Sequence, residues 1–234
     1  MKIAMWSGPR NLSTAMMYSF AARGDFAVWD EPFYAAYLKR SGIDHPMRDE
    51  VIAAHESDPK EVARLCSGSI PGEKPHFYMK HMPFHMLDGF PLEWAKECVN
   101  VHLIRHPARV IASYAVKREE PTLDDIGFRQ QVELYDRFPG PVIDSFDIRQ
   151  NPEAMLRKLC DLIDLPWDAG MLHWEAGPKP FDGVWAAHWY GAVHRSTGFA
   201  AAEDDLPVLE PHFKPLENAA MPFYEMMEAR KITL

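Results

Sequence analysis

Five short apolar runs set apart by helix-patterned stretches constrain this chain more than any other feature. They are "KIAMW" (2–6), "FAVWD" (26–30), "HFYMK" (76–80), "VNVHLI" (99–104) and "PVIDSFD" (141–147). Apolar runs of this length bounded by turn residues read as buried strands. Between them, "STAMMYSFAARG" opens on Ser13 or Thr14 as a cap and stops at Gly24, and "DPKEVARLCSG" runs from Asp58 to Gly68. Another helix starts after Pro107 in "RHPARVIASYAVK", and "NPEAMLRKLCDLIDL" has Asn151 as cap with Pro152 at its first helical position. Strands alternating with helices need crossover connections, which implies an α/β fold with a mainly parallel sheet flanked by helices. Residues 1–234 are expected to form one domain, with the Pro-, Gly- and aromatic-rich stretch 176–215 as long ordered loops over the sheet.

In parallel sheets ligands bind outside the carboxyl ends of the strands. Four marked stretches fall there: "SGPRNLST", "DEPF", "KHMPFH" and "RHPARVIAS". The first places backbone N–H groups at a helix N-terminus, with Arg10 as a charge and the hydroxyls of Ser13 and Thr14, which together make an anion cradle. After Gly8 it has neither the second Gly nor the Lys of a nucleoside-triphosphate loop. The fourth has Arg105 at a strand end, Arg109 on the same segment, and Ser113 eight residues beyond Arg105. Eight helical residues advance about 12 Å, so Arg105 and Ser113 can share an anion only if the turn folds the arginine back.

With 47% hydrophobic and 12% aromatic residues the chain can bury a large core, while a net charge of −9 argues against general affinity for nucleic acid or anionic membrane. Any anion site is therefore a local positive pocket. Three widely spaced cysteines without a CxxC suit free thiols in a reducing compartment. Neither a leader pattern nor an apolar run of the roughly 20 residues of a membrane span is visible, so a cytoplasmic protein is expected.

The loop after the first strand, combined with R-x-P and a Ser eight residues after its Arg, resembles the sulfotransferases that use 3′-phosphoadenosine 5′-phosphosulfate (PAPS). The resemblance implies a P-loop NTPase-like three-layer sandwich and PAPS as co-substrate, with no metal. It implies that the loop Gly8, Pro9, Arg10, Asn11, Leu12, Ser13 and Thr14 wraps the 5′ end, with Arg10 also acting in catalysis, and that Arg105 and Ser113 hold the 3′-phosphate. "KHMP" is similar to the family's K-x-H-[LF]-P, one residue shorter, which would make His81 the residue that takes the acceptor's proton. Some branches use a Glu after the second strand, and "WDEPF" offers Glu31. "DEP" follows its strand directly, which favours Glu31 as base with His81 as a supporting donor. "HRSTGF" is similar to the family's late R-K-G loop over the 3′-phosphate, with Arg195 and Gly198 matching and Ser196 and Thr197 in place of the lysine.

The partner implied is a small-molecule acceptor bearing a hydroxyl or amine, in a pocket built by loops such as 33–37 and 181–190. Trp167, Trp174, Trp185 and Trp189 read mostly as core, with one or two lining that pocket. Two other readings remain. A phosphotransferase using ATP and Mg²⁺ would take "FAVWDE" as a Walker B strand, Asp30 holding the metal and Glu31 acting as base. A non-catalytic module would bind nucleotide without turnover. His81/His85 and His102/His106 have the spacing of helical metal ligands, but His102 lies in a strand pattern, where that spacing does not converge.

Overall fold

The computed structural model describes residues 1–116 and 120–234. Five strands, β1 (Lys2–Ser7), β2 (Phe26–Asp30), β3 (His76–His81), β4 (Val99–Ile104) and β5 (Val142–Asp144), form one sheet in the order β2-β3-β1-β4-β5. Every pairing is parallel. Each strand begins within a few residues of its expected place because the runs are long enough to be buried on both faces. Side chains alternate across the sheet. Ile3 and Met5 of β1 pack with helix α1 (Ser13–Ala22) and the helix Pro152–Leu162, whereas Ala4 and Trp6 pack on the other face with the helix Pro59–Ser67 and with Trp94. The sheet is thus the middle of three layers, the expected α/β arrangement. A third apolar cluster joins β4 and β5 to the helices Pro107–Ala115 and Lys214–Glu228.

Three local expectations are corrected. The fifth strand is shorter than 141–147: the Asp144 carboxylate accepts the Phe146 N–H at 2.8 Å and starts the helix Ser145–Gln150. Neither Ser13 nor Thr14 caps α1; Leu12 holds the cap position in a left-handed conformation with no side-chain cap bond. The stretch 176–215 is mostly irregular, as expected, but contains the short helix Ala186–Trp189 and a 3₁₀ turn at Val193–Arg195. Asp58 and Asn151 cap their helices as read from the sequence. The helix after Pro107 runs to Ala115, and Lys117, at the end of the quoted stretch, lies outside the described residues.

The approach to β5 depends on Gly140. A Cβ there would meet the Asn100 carbonyl oxygen at 1.8 Å. Asn100 has little freedom to yield, because its side chain accepts from Trp6 Nε1 at 2.8 Å and donates to the Ala95 carbonyl at 2.9 Å. Gly140→Ala should therefore cost on the order of 2–4 kcal/mol. Calorimetry should show a thermal midpoint lowered by roughly 5–15 °C. An unchanged midpoint would mean that the strand approach is more plastic than this packing implies.

Candidate active site

Beyond β1 the chain turns sharply. Arg10 and Leu12 have φ of 61° and 74°, unusual for residues with side chains. Left-handed residues in such a turn bring successive N–H groups to one concave side, and α1 begins there without a side-chain cap for its first N–H groups. The turn is tied down from behind. Asn11 Nδ2 donates to the Leu103 carbonyl at 3.3 Å, and Gln131 Nε2 donates to the carbonyls of Leu103 and Trp6 at 3.0 and 3.2 Å. Gly8 sits beneath the turn, where a Cβ would press on the Ile126 carbonyl at 2.8 Å. Pro9, Arg10, Asn11, Leu12, Ser13 and Thr14 all line a cavity of about 290 Å³; Gly8 does not.

Arg105 and Ser113 line the same cavity. The distance that separates them along the helix is bridged by Arg10: its Nε donates to Ser113 Oγ at 2.9 Å, and its carbonyl accepts from Arg105 Nη1 at 2.6 Å. Burial, followed by the nearby Arg105 charge, lowers the Arg10 pKa. Arg105 Nη2 also donates to the Glu203 carboxylate, an acidic partner that sequence reading did not single out.

The third constellation is built on Lys80. In β3 it points to the α1 face, fully buried, with its Nζ 2.8 Å from Asp30 Oδ1 and 2.8 Å from Glu31 Oε1. It also donates to Tyr190 Oη, and that hydroxyl donates to Asp30 Oδ2 at 2.7 Å. Glu31 has a φ of 43° and is fixed by its own N–H, which donates to the Lys80 carbonyl at 3.0 Å. Burial raises the Glu31 pKa, opposed by Lys80 and reinforced by Asp30. Burial alone would lower the Lys80 pKa, but the Asp30 and Glu31 carboxylates carry it above its ordinary value. Glu31, Lys80 and Tyr190 line the cavity; Asp30 lies behind them.

His81 lies elsewhere. One residue after Lys80, strand alternation sends it to the opposite face, fully buried against Trp6, Phe33 and Trp94. It does not line the cavity, and burial lowers its pKa to about 3. The expectation that it faces an acceptor is corrected on this ground. The histidines that do line the cavity are His45 and His85, and His85 is stacked between Tyr34 and Tyr37 with Nδ1 4.0 Å from Glu31 Oε2. In the sequence His85 stands out only as the end of "KHMPFH" and by its spacing from His81, and it lies in a 3₁₀ turn after Pro83.

The late loop is divided. Ser196 and Gly198 line the cavity, while Arg195 and Thr197 do not. Ser196 Oγ accepts from Trp174 Nε1 at 3.1 Å and donates to the Val193 carbonyl at 2.7 Å, and Arg195 is exposed. Trp185 and Trp189 line the cavity with Tyr34 and Phe84. His102 bonds the Phe138 carbonyl through Nε2 at 2.9 Å, and among the described residues no three His, Cys, Asp or Glu side chains are grouped to hold a metal. No helix among the described residues is long and apolar enough to cross a membrane.

The model of a sulfotransferase domain matches residues 1–231, and the chain belongs to that family. Two solved sulfotransferase domains share its fold. That of the Synechococcus PCC 7002 olefin synthase superposes with a TM-score of 0.54 at 15% identity, covering 100% of this chain and 96% of that one. That of the curacin biosynthetic pathway gives 0.52 at 16% identity, covering 99% and 92%. Among curated sequences, two Arabidopsis thaliana proteins named branched-chain-amino-acid aminotransferase-like are similar. Protein 2 is 38% identical over 96% of this chain, and protein 1 is 40% identical over 97%. The chain spans 41% of the length of each.

The buried histidines make acid stability a test of this geometry. His81 and His102 have pKa values lowered by burial to about 3 and about 4, against 6.5 for a free imidazole. Below pH 6.5 the unfolded chain takes up protons that the folded chain refuses, so stability falls as pH falls through that window. His81→Leu removes one such proton uptake and should flatten the pH–stability curve between pH 6.5 and 4, measured by urea unfolding. A curve of unchanged slope would show that His81 titrates freely in the folded protein.

Proposed function

We propose that this chain transfers a sulfuryl group from PAPS to a hydroxyl or amine of a small-molecule acceptor. The observation that carries this reading is one cavity lined jointly by the uncapped start of α1, by Arg105 with Ser113, and by a buried carboxylate, Glu31. The residues present suit the donor. The N–H groups and Arg10 would hold its 5′ end, and Arg105 and Ser113 its 3′-phosphate, with charge-assisted bonds that a nucleotide lacking that phosphate forgoes.

PAPS supplies an activated sulfuryl group on a phosphate leaving group. Glu31 takes the acceptor's proton: it lines the cavity, and its raised pKa makes it a stronger base than an exposed carboxylate. Lys80 keeps Glu31 in place and opposes its protonation. Arg10 and the loop N–H groups stabilise the negative charge that builds on the departing oxygen. Tyr34, Trp185 and Trp189 form an apolar wall for the acceptor's body. The phosphotransferase reading is weaker because Asp30, the side chain it assigns to Mg²⁺, lies behind the cavity wall, ion-paired to Lys80 and bonded by Tyr190 Oη and the Gly183 N–H.

Arg105→Ala should weaken adenosine 3′,5′-bisphosphate by roughly 1.5–3 kcal/mol, about 10- to 150-fold, and leave adenosine 5′-phosphate nearly unchanged in calorimetric titration. Equal losses for both ligands would make Arg105 a structural residue. Glu31→Gln should slow single-turnover transfer by about 10²–10⁴-fold. Since the base must be ionised, wild-type activity should fall with decreasing pH through an apparent pKa above the 4.5 of an ordinary glutamate. A fully active Glu31→Gln variant would remove Glu31 from the chemistry.

A further inference from the structure

Two arginines of one segment, Arg105 and Arg109, meet a third from far along the chain, Arg149, on one carboxylate. Glu203 ion-pairs with Arg105, with Arg149 Nη1 at 2.6 Å and with Arg109 Nε at 3.4 Å. Its side chain is 5% exposed. It sits on the irregular stretch 200–209, which contains neither helix nor strand. The first half of that stretch is held by the same arginines, because the Ala201 carbonyl accepts Arg149 Nε at 2.7 Å and the Asp204 carbonyl accepts Arg109 Nη2. Otherwise it is loosely attached: Leu206 and Val208 are exposed, and Leu209 roots its far end in the core. Its near end reaches the main cavity, which Gly198 and Ala200 help to line.

Arg105 is therefore shared. One of its terminal nitrogens serves the Arg10 carbonyl and the other serves Glu203, and the arginine also lines the cavity. A phosphate dianion arriving at Arg105 meets a carboxylate already on that guanidinium, and two anions on one desolvated cation repel strongly. We propose that Glu203 is an internal counter-anion of the Arg105–Arg109–Arg149 cluster that the donor's 3′-phosphate displaces, so that segment 200–209 is a strap released by donor binding. This inference rests on the donor reading above. Glu203 is the carboxylate that pairs with all three arginines, with Asp204 acting on Arg149 as well, so Glu203 holds the cluster together in the free protein and its displacement leaves the arginines for a dianion. Displacement would lower donor affinity and couple donor binding to opening of the strap beside the cavity.

The test uses the intact chain, calorimetry and hydrogen exchange. Glu203→Gln should bind adenosine 3′,5′-bisphosphate at least about tenfold more tightly than wild type, while adenosine 5′-phosphate changes less than about twofold. Glu203→Asp, which keeps the charge and shortens its reach, should fall between them and guards against a folding defect in the first variant. In the wild type, bisphosphate should speed amide exchange in 200–206 and adenosine 5′-phosphate should not. Weaker or unchanged bisphosphate binding by Glu203→Gln would overturn the proposal and make Glu203 a positioning residue for the arginines. Greater or unchanged protection of 200–206 would overturn it too. If wild type binds bisphosphate no better than adenosine 5′-phosphate, the donor reading fails and inorganic phosphate decides the strap separately. Phosphate should then raise the thermal midpoint of Glu203→Gln and not of wild type, and equal responses would overturn the counter-anion.

Discussion

The carboxylate that faces the cavity is held there by one buried cation. Lys80 lies near the end of β3, fully buried, and it is tolerable there because Asp30 and Glu31 each come within 2.8 Å. Removing one partner of such a group strands the rest, typically at a cost of about 3–5 kcal/mol. The group joins three parts of the chain. Asp30 ends β2, Lys80 belongs to β3, and Tyr190 and the Gly183 N–H arrive from the late loops to bond Asp30. Its geometry sets the left-handed backbone of Glu31 and aims that carboxylate into the cavity. The strand register that sets Asp30 opposite Lys80 thus fixes the Glu31 carboxylate at the cavity.

The acidic character of the chain poses a complementary problem. With a net charge of −9, an anionic ligand is repelled at long range, so attraction must be local. The cations are gathered accordingly. Arg10 is locked to Ser113, Arg105 is locked to the Arg10 carbonyl, and Arg109 and Arg149 converge with Arg105 on Glu203. Burial, followed by the neighbouring Arg105 charge, lowers the Arg10 pKa. The uncapped start of α1 adds N–H groups that need no counterion at all.

Much of this was legible in the residues. Alternating apolar runs and caps gave away the parallel sheet because each run is long enough to be buried, and the loop Gly8–Thr14 stands out because it follows the first run directly. The pairing of Arg105 with Ser113 comes from the resemblance to the sulfotransferase pattern, since eight helical residues alone would set them about 12 Å apart, and the bridging role of Arg10 needs the third dimension. The error at His81 has a simple cause: in a strand, neighbouring residues face opposite ways, so "KH" can deliver only one of its two side chains to the site, and the register opposite Asp30 selects the lysine. His85 stands out only by its spacing from His81, and Tyr190 only as the end of the loop 181–190, while Glu203 carries no visible signal. Glu203 in "AEDDLP" reads as a solvated acidic turn, and its partner Arg105 lies 98 residues away.

The central claim is that one cavity holds a nucleotide by two phosphates, one at the start of α1 and one at Arg105 and Ser113. The most direct measurement is a crystal structure with adenosine 3′,5′-bisphosphate. The account predicts the 5′-phosphate within hydrogen-bond reach of the N–H groups of residues 10–15 and the 3′-phosphate on Arg105 and Ser113, with Glu31 open to the remaining cavity. Density for the nucleotide outside that cavity, or with neither phosphate on those groups, would contradict it.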